Sequence, residues 1–171
     1  MQRPTRGYSL PELSIVLVIG SVFTLGAVPA LIDSVQQTQV RLQTQSVQAL
    51  LDRARMLALR HGSAQVCSGD AQGCRQQWSG DTLRLEMQAE GSSSRQLIQL
   101  LPLNGVRAFW KDSGGKKPVQ FASGGAFGSN GTFYLCPGGG VQPMSIVINA
   151  GGRTRIEPCG NGCKKCSVST P

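Results

Sequence analysis

Histidine is almost absent from this sequence: His61 is the sole imidazole in 171 residues. Any site that needs two imidazoles is excluded, and a Ser-His-Asp triad or a multi-histidine zinc centre has almost nothing to draw on. Aromatic residues make up only 5% of the chain and charged residues 15%, against about a quarter charged in ordinary soluble domains. Acidic side chains are scarce in the second half. Residues 91–171 hold two, Asp112 and Glu157, against nine basic ones, whereas residues 1–90 hold seven acidic and eight basic. No carboxylate dyad stands out. The stretch Gly124–Gly131 lacks both the Lys-Ser/Thr and the following helix of a phosphate loop, so it reads as a turn. No enzyme, no cofactor and no histidine-based metal centre are expected.

What is present suits one domain with an appendage. Twenty-two glycines imply many turns, and the net charge of +8 is concentrated toward the C-terminus. That asymmetry points to a polyanionic partner, nucleic acid or anionic lipid, or to a basic surface that only aids solubility. Six cysteines fit disulfides in an exported protein; the alternative is a zinc site in the Cys159, Cys163, Cys166 cluster with Cys136 as fourth ligand.

The first seven residues are short and basic and end in Gly7. From Leu13 to Ile32 there follow twenty residues without a charge, enough for a helix of about 30 Å, the thickness of a bilayer's hydrocarbon core. Arg3 and Arg6 would hold the N-terminus in the cytoplasm. Glu12 stands at the head of the apolar run, where an unpaired carboxylate would be costly and so points to function.

The segment Arg6-Gly7-Tyr8-Ser9-Leu10-Pro11-Glu12-Leu13 resembles the class III signal of type IV pilins and type II secretion pseudopilins. The resemblance implies cleavage between Gly7 and Tyr8 by a prepilin peptidase, methylation of the new N-terminus, and Glu12 as the fifth mature residue. In a filament Glu12 would meet the terminal amine of a neighbouring pilin subunit, the opposite charge that a buried carboxylate needs. Tyr8 and Pro11 depart from the usual residues, and proline is tolerated in a helix's first turn.

Beyond Asp33 the pattern becomes amphipathic, with Val47, Leu50, Leu51, Ala54, Leu57 and Ala58 at helical spacings and Gly62 as a stop. The expectation is one helix from Ser9 to Arg60. After it come short strands at Ala64–Cys67, Thr82–Met87, Gln96–Leu101, Val106–Trp110, Val119–Phe121, Thr132–Cys136, Ser145–Asn149 and Arg153–Ile156. The fold class is α+β: a long N-terminal helix, its first half membrane-spanning, packed against an antiparallel β-sheet head. The organisation reads as a leader over residues 1–7, a transmembrane and filament-core helix over 8–32, an amphipathic helix over 33–61, and a β-rich head with a basic hairpin and cysteine-rich tail over 62–171. Val66-Cys67, Cys74, Trp78-Ser79-Gly80 and Phe133-Tyr134-Leu135-Cys136 resemble the GspH/FimT group of minor pilins.

An exported head in an oxidising periplasm favours disulfides over zinc. Cys67–Cys74 is the expected short-loop pair. Cys136 is expected to pair with one of the terminal cluster, Cys159 by preference, leaving Cys163–Cys166.

The segment from Ile146 to Ile156 reads as a hairpin around a glycine-rich turn. Arg153 and Arg155, two apart on one strand, would share a face about 7 Å apart and suit successive phosphates. Gly152 would let a polyanion approach the backbone, and Lys164 and Lys165 would extend the strip. Gly152-Arg153-Thr154-Arg155 resembles the Gly-Arg-x-Arg motif of FimT-type minor pilins, which bind DNA in natural transformation. The scarcity of aromatics favours phosphate contacts over base stacking, and hence little sequence specificity. The resemblance thus implies a minor pilin, held in the inner membrane with a periplasmic head and then placed in the pilus. Its expected partners are DNA, other pilin subunits and the prepilin peptidase. A priming pilin without DNA binding and a type II secretion pseudopilin are the alternatives.

Overall fold

The Ser9 carbonyl accepts the amides of Glu12 and Leu13 at 3.0 and 3.1 Å, and from this cap α1 runs over Leu10–His61. The computed structural model describes residues 9–75, 78, 80–112, 118–122, 130–138, 140–159, 163 and 166, with residues 22–27 and 29 described by backbone alone. Two units divide the chain, Met1–Gln36 and Gln37–Pro171, and α1 contributes to both.

In the first unit the described side chains from Leu13 to Ile19 include Ile15, Val16, Leu17 and Val18, all more than half exposed. Ser14 and Ser21 donate their hydroxyls back to the carbonyls of Pro11 and Val18, each at 2.8 Å, so neither hydroxyl is left seeking water. Among the described residues no helix is long and apolar enough to cross a membrane.

In the second unit α1 buries one stripe: Val40, Thr44, Val47, Leu50, Leu51, Ala54 and Ala58. Steps of three and four residues put these on one side of a 3.6-residue helix. Helix α1 ends at His61, and Gly62 takes φ +127° to begin the first strand, a conformation that a side chain would oppose.

The strands are β1 (Gly62–Ser68), β2 (Thr82–Ala89), β3 (Gln96–Pro102), β4 (Val106–Asp112), β5 (Val119–Phe121), β6 (Gly131–Pro137), β7 (Met144–Ile148) and β8 (Thr154–Pro158). The single sheet expected from the sequence is two four-stranded antiparallel sheets, ordered β3-β2-β1-β5 and β4-β6-β7-β8. The division falls at Leu103–Val106. Asn104 and Gly105 both hold positive φ and the Val106 amide reaches the Leu103 carbonyl at 2.9 Å, yet β3 and β4 do not pair. Leu103 is wholly buried instead, its amide donating to the Asp81 carbonyl at 2.7 Å, and with buried Val106 it anchors an exposed Asn104-Gly105 turn that carries the chain to the other sheet.

Both sheets and the helix stripe share that core. Val66, Leu83 and Leu85 come from the first sheet, and Ala108, Phe133, Leu135, Ile146 and Ile148 from the second. Trp78, Trp110 and Phe133 gather within it, their ring centroids 4.8 to 6.4 Å apart. Three of the chain's nine aromatics thus pack together, where large rings bury much area.

Candidate functional site

The β7–β8 hairpin is closed by the five residues from Asn149 to Arg153, with a geometry that follows from Asn149-Ala150-Gly151-Gly152. The Gly152 amide donates to the Asn149 carbonyl at 2.9 Å, and Gly152 holds φ +73°: a tight turn followed by a left-handed residue, a common way to join two strands. The Asn149 side-chain oxygen accepts the amides of Gly151 at 3.1 Å and Arg153 at 2.9 Å. Gly152 itself is buried. It serves the turn's conformation, and the open backbone expected there for a polyanion is absent.

Register from Ile148↔Thr154 to Met144↔Pro158 fixes which β8 side chains face the core. Thr154 turns inward: its hydroxyl accepts from the Gln48 amide at 3.0 Å and donates to the Asp52 carboxylate at 3.1 Å, both on α1. Ile156 packs against the core. Arg153 and Arg155 are exposed. Arg153 precedes β8 because the Asn149 side chain takes its amide. Arg155 is ion-paired with Glu157, two residues along the same strand face; the arginine side chain is 78% exposed and the carboxylate 36%. The hairpin therefore displays one cation with no carboxylate partner among the described residues and one already paired.

Lys164 and Lys165, the processing residues Gly7 and Tyr8, and most of Gly124–Gly131 lie outside the described residues. Glu12 is exposed in the first turn of α1.

All six cysteines are disulfide-bonded. Cys67 joins Cys74, across a loop that the Gly69–Cys74 bridge also closes. Cys136 joins Cys166, and Cys159 joins Cys163, in place of the expected Cys136–Cys159 and Cys163–Cys166. Strand order supplies the reason. Cys136 lies on β6, whereas the Cys159 amide donates to Pro143 at the far side of β7. Two strand spacings are about 9.6 Å, beyond the roughly 7 Å that a disulfide spans between Cα atoms. Cys166, farther along the chain, is the cysteine that meets Cys136.

Beneath the Cys67–Cys74 loop lies a buried polar cluster that the sequence does not announce. Arg84 and Glu86, each 7% exposed, form an ion pair, and the Gln65 amide donates to the second Glu86 oxygen at 2.6 Å. Alternation of Arg84 and Glu86 with Leu83 and Leu85 reads as a solvent face; only the loop folded over it makes it an interior. Asp70 organises that loop. The Arg75 guanidinium, first, and the Gln72 amide hold its carboxyl below its ordinary pKa. The Arg84 guanidinium donates to the Asp70 carbonyl.

The family model described as type II transport protein GspH matches residues 43–152. No curated protein and no solved structure matches significantly. The match spans the α1 stripe from Thr44 on, β1 to β7 and the β7–β8 turn as far as Gly152, and stops short of Arg153 and β8. It covers well over half of the chain and lies within the helix-on-sheets unit, so this protein belongs to the GspH family.

Proposed function

We propose that this GspH-family chain is a minor pilin that binds extracellular DNA non-specifically through its β7–β8 hairpin during natural transformation. In this reading cleavage between Gly7 and Tyr8 frees the mature N-terminus. The uncharged Leu13–Ile32 run first spans the inner membrane and then packs in the filament core, with Glu12 paired to a neighbouring subunit's terminal amine. The subunit binds and assembles; it catalyses nothing.

One observation carries the DNA reading. Thr154 is tied to α1 through Gln48 and Asp52, which fixes the strand while Arg153 and Arg155 on either side of it stay exposed. Rigidly presented guanidiniums lose little entropy on meeting phosphates. The surplus of seven positive charges over residues 91–171 supplies the surrounding field.

The second reading is a type II secretion pseudopilin, favoured by the family description and by the Arg155–Glu157 pair, which removes half of the hairpin's free charge. A gel-shift titration of the full chain in nonionic detergent separates the two. Binding to unrelated duplexes that Arg153→Gln/Arg155→Gln abolishes supports the pilin. A parent that binds no DNA, with protein export abolished on deletion, supports the pseudopilin.

A further inference from the structure

We infer that the outer face of the β4-β6-β7-β8 sheet is a platform for single-stranded DNA, on which Phe109 and Tyr134 stack bases while Arg107, Lys111 and Arg155 hold phosphates. The inference rests on the DNA reading above and narrows its ligand from DNA in general to unpaired strands.

Residue parity defines the face. Ala108, Trp110, Phe133, Leu135, Ile146 and Ile148 point into the core, so the residues between them point outward. Phe109 lies directly opposite Tyr134, and side chains of directly opposed residues stand side by side on one face. The neighbouring row runs Lys111, Thr132, Val147, Arg155, each the registered partner of the next. Arg107 is opposite Cys136 on the other side of the aromatic pair. The two aromatics are therefore flanked by cations along β4, and a third cation closes the far end of the Lys111 row, three strand spacings or about 14 Å away. Of the outward residues on these four strands only Glu157 is acidic, and it is paired with Arg155.

Accessibility is graded across the face. Cys136, joined to Cys166 on this face, and Ser145 are buried, Arg107, Phe109 and Tyr134 are half-buried, and Lys111 and Arg155 are exposed. The platform opens toward the Lys111–Arg155 row, continuous with the hairpin. Among the described residues Phe109 is not one of the core side chains, and a half-buried phenylalanine on an outward cationic face offers flat apolar area beside charge. Charge complementarity selects the occupant: a partner that combines a polyanionic backbone with flat apolar groups meets the aromatic pair and the three cations, while Glu157, at the far end of the aromatic row, stays paired with Arg155. Duplex DNA offers the charge and hides the bases; a single strand offers both.

The test is fluorescence anisotropy on the full chain in nonionic detergent, at one salt concentration, with an oligo-dT and an abasic oligonucleotide of equal length and charge. The parent should bind oligo-dT at least about fivefold more tightly than the abasic strand. Phe109→Leu and Tyr134→Leu should erase that ratio and keep the abasic affinity. Should either variant fail to fold, cross-linking of the parent to an iodouracil-bearing strand should map to Phe109 or Tyr134. Equal binding of both strands by the parent, weakened by Arg153→Gln/Arg155→Gln, overturns the platform and leaves the hairpin reading standing. A preference for oligo-dT that survives both leucine variants, or cross-links confined to other residues, also overturns it. Binding to neither strand nor to duplex overturns the platform and the DNA reading together.

Discussion

The Thr154 hydroxyl donates to the Asp52 carboxylate at 3.1 Å, joining β8 to α1 across 102 residues of sequence. The same oxygen accepts from Gln48 at 3.0 Å, so the residue between the two arginines is itself the hairpin's tie to the helix.

Thr154→Val keeps the shape and removes both bonds. Loss of stability of about 1 kcal/mol is expected in denaturant unfolding, since the half-buried Gln48 amide loses its partner. Asp52→Asn, which can still accept from the hydroxyl, should cost less. An unchanged midpoint for Thr154→Val would show that the tie does not stabilise the hairpin.

At Gly62 the expected effect is larger. Its φ of +127° is joined by close approach: an added Cβ would lie 2.7 Å from the Gln88 carbonyl oxygen and 2.8 Å from the Glu90 amide. Backbone atoms of a paired strand cannot withdraw cheaply, so Gly62→Ala should destabilise by about 2 kcal/mol or more. Gly138, whose added Cβ meets nothing within 4 Å, is the control. Equal melting temperatures for the two alanine variants would contradict this account of the helix-to-strand junction.

Much of the architecture was legible because it depends on local signals. Every strand stretch read from alternation and turn residues overlaps an observed strand, and the helix limits of Ser9 and Arg60 are each one residue from Leu10 and His61. Arg153–Ile156 shifted to Thr154–Pro158 because Asn149 takes the Arg153 amide for the turn. Pairing was not legible. Three-residue β5 finds β1 more than fifty residues away, and no local pattern says that β3 and β4, with Asn104-Gly105 between them, belong to different sheets. The same gap hid the candidate site's surroundings: Phe109 and Tyr134 become neighbours only through the β4–β6 register, and the Thr154 tie needs the helix docked.

Disulfide mapping by peptide mass under non-reducing conditions should recover Cys67–Cys74, Cys136–Cys166 and Cys159–Cys163. Replacing the first pair by alanine should cost about 2.5 kcal/mol and the second, which closes a longer loop, about 3.7 kcal/mol in the chain-entropy model. A Cys136–Cys159 peptide would contradict the strand order that puts β7 between them.

Acid sensitivity should trace in part to Asp70. Its carboxyl is held below the ordinary value of 3.8 by Arg75 first and then by the Gln72 amide. A group with a depressed folded pKa stabilises above its unfolded pKa, and that contribution fades as pH falls through the folded value. Arg75→Gln should therefore move the Asp70 carboxyl resonance midpoint upward in NMR titration. An unmoved midpoint would assign the shift to the loop amides alone.

Glu157 separates the hairpin's two arginines in kind. Arg155 must leave its carboxylate partner to meet a phosphate, whereas Arg153 has no carboxylate beside it among the described residues. On the DNA reading, giving up one arginine–phosphate interaction lowers the magnitude of the salt slope on duplex by about 0.9, so Arg153→Gln/Arg155→Gln should lower it by about 2. Glu157→Gln should act in the opposite direction. An exposed ion pair is worth at most about 1 kcal/mol, so freeing Arg155 should raise affinity up to about fivefold at low salt. The gain should vanish when Arg155→Gln is added, because the two substitutions act on the same ion pair. A gain that persists without Arg155 would mean that Glu157 merely repels the strand through the general field. No effect of Glu157→Gln, with the slope still lowered by Arg153→Gln, would leave Arg153 as the hairpin's working cation and Arg155 as a structural partner of Glu157.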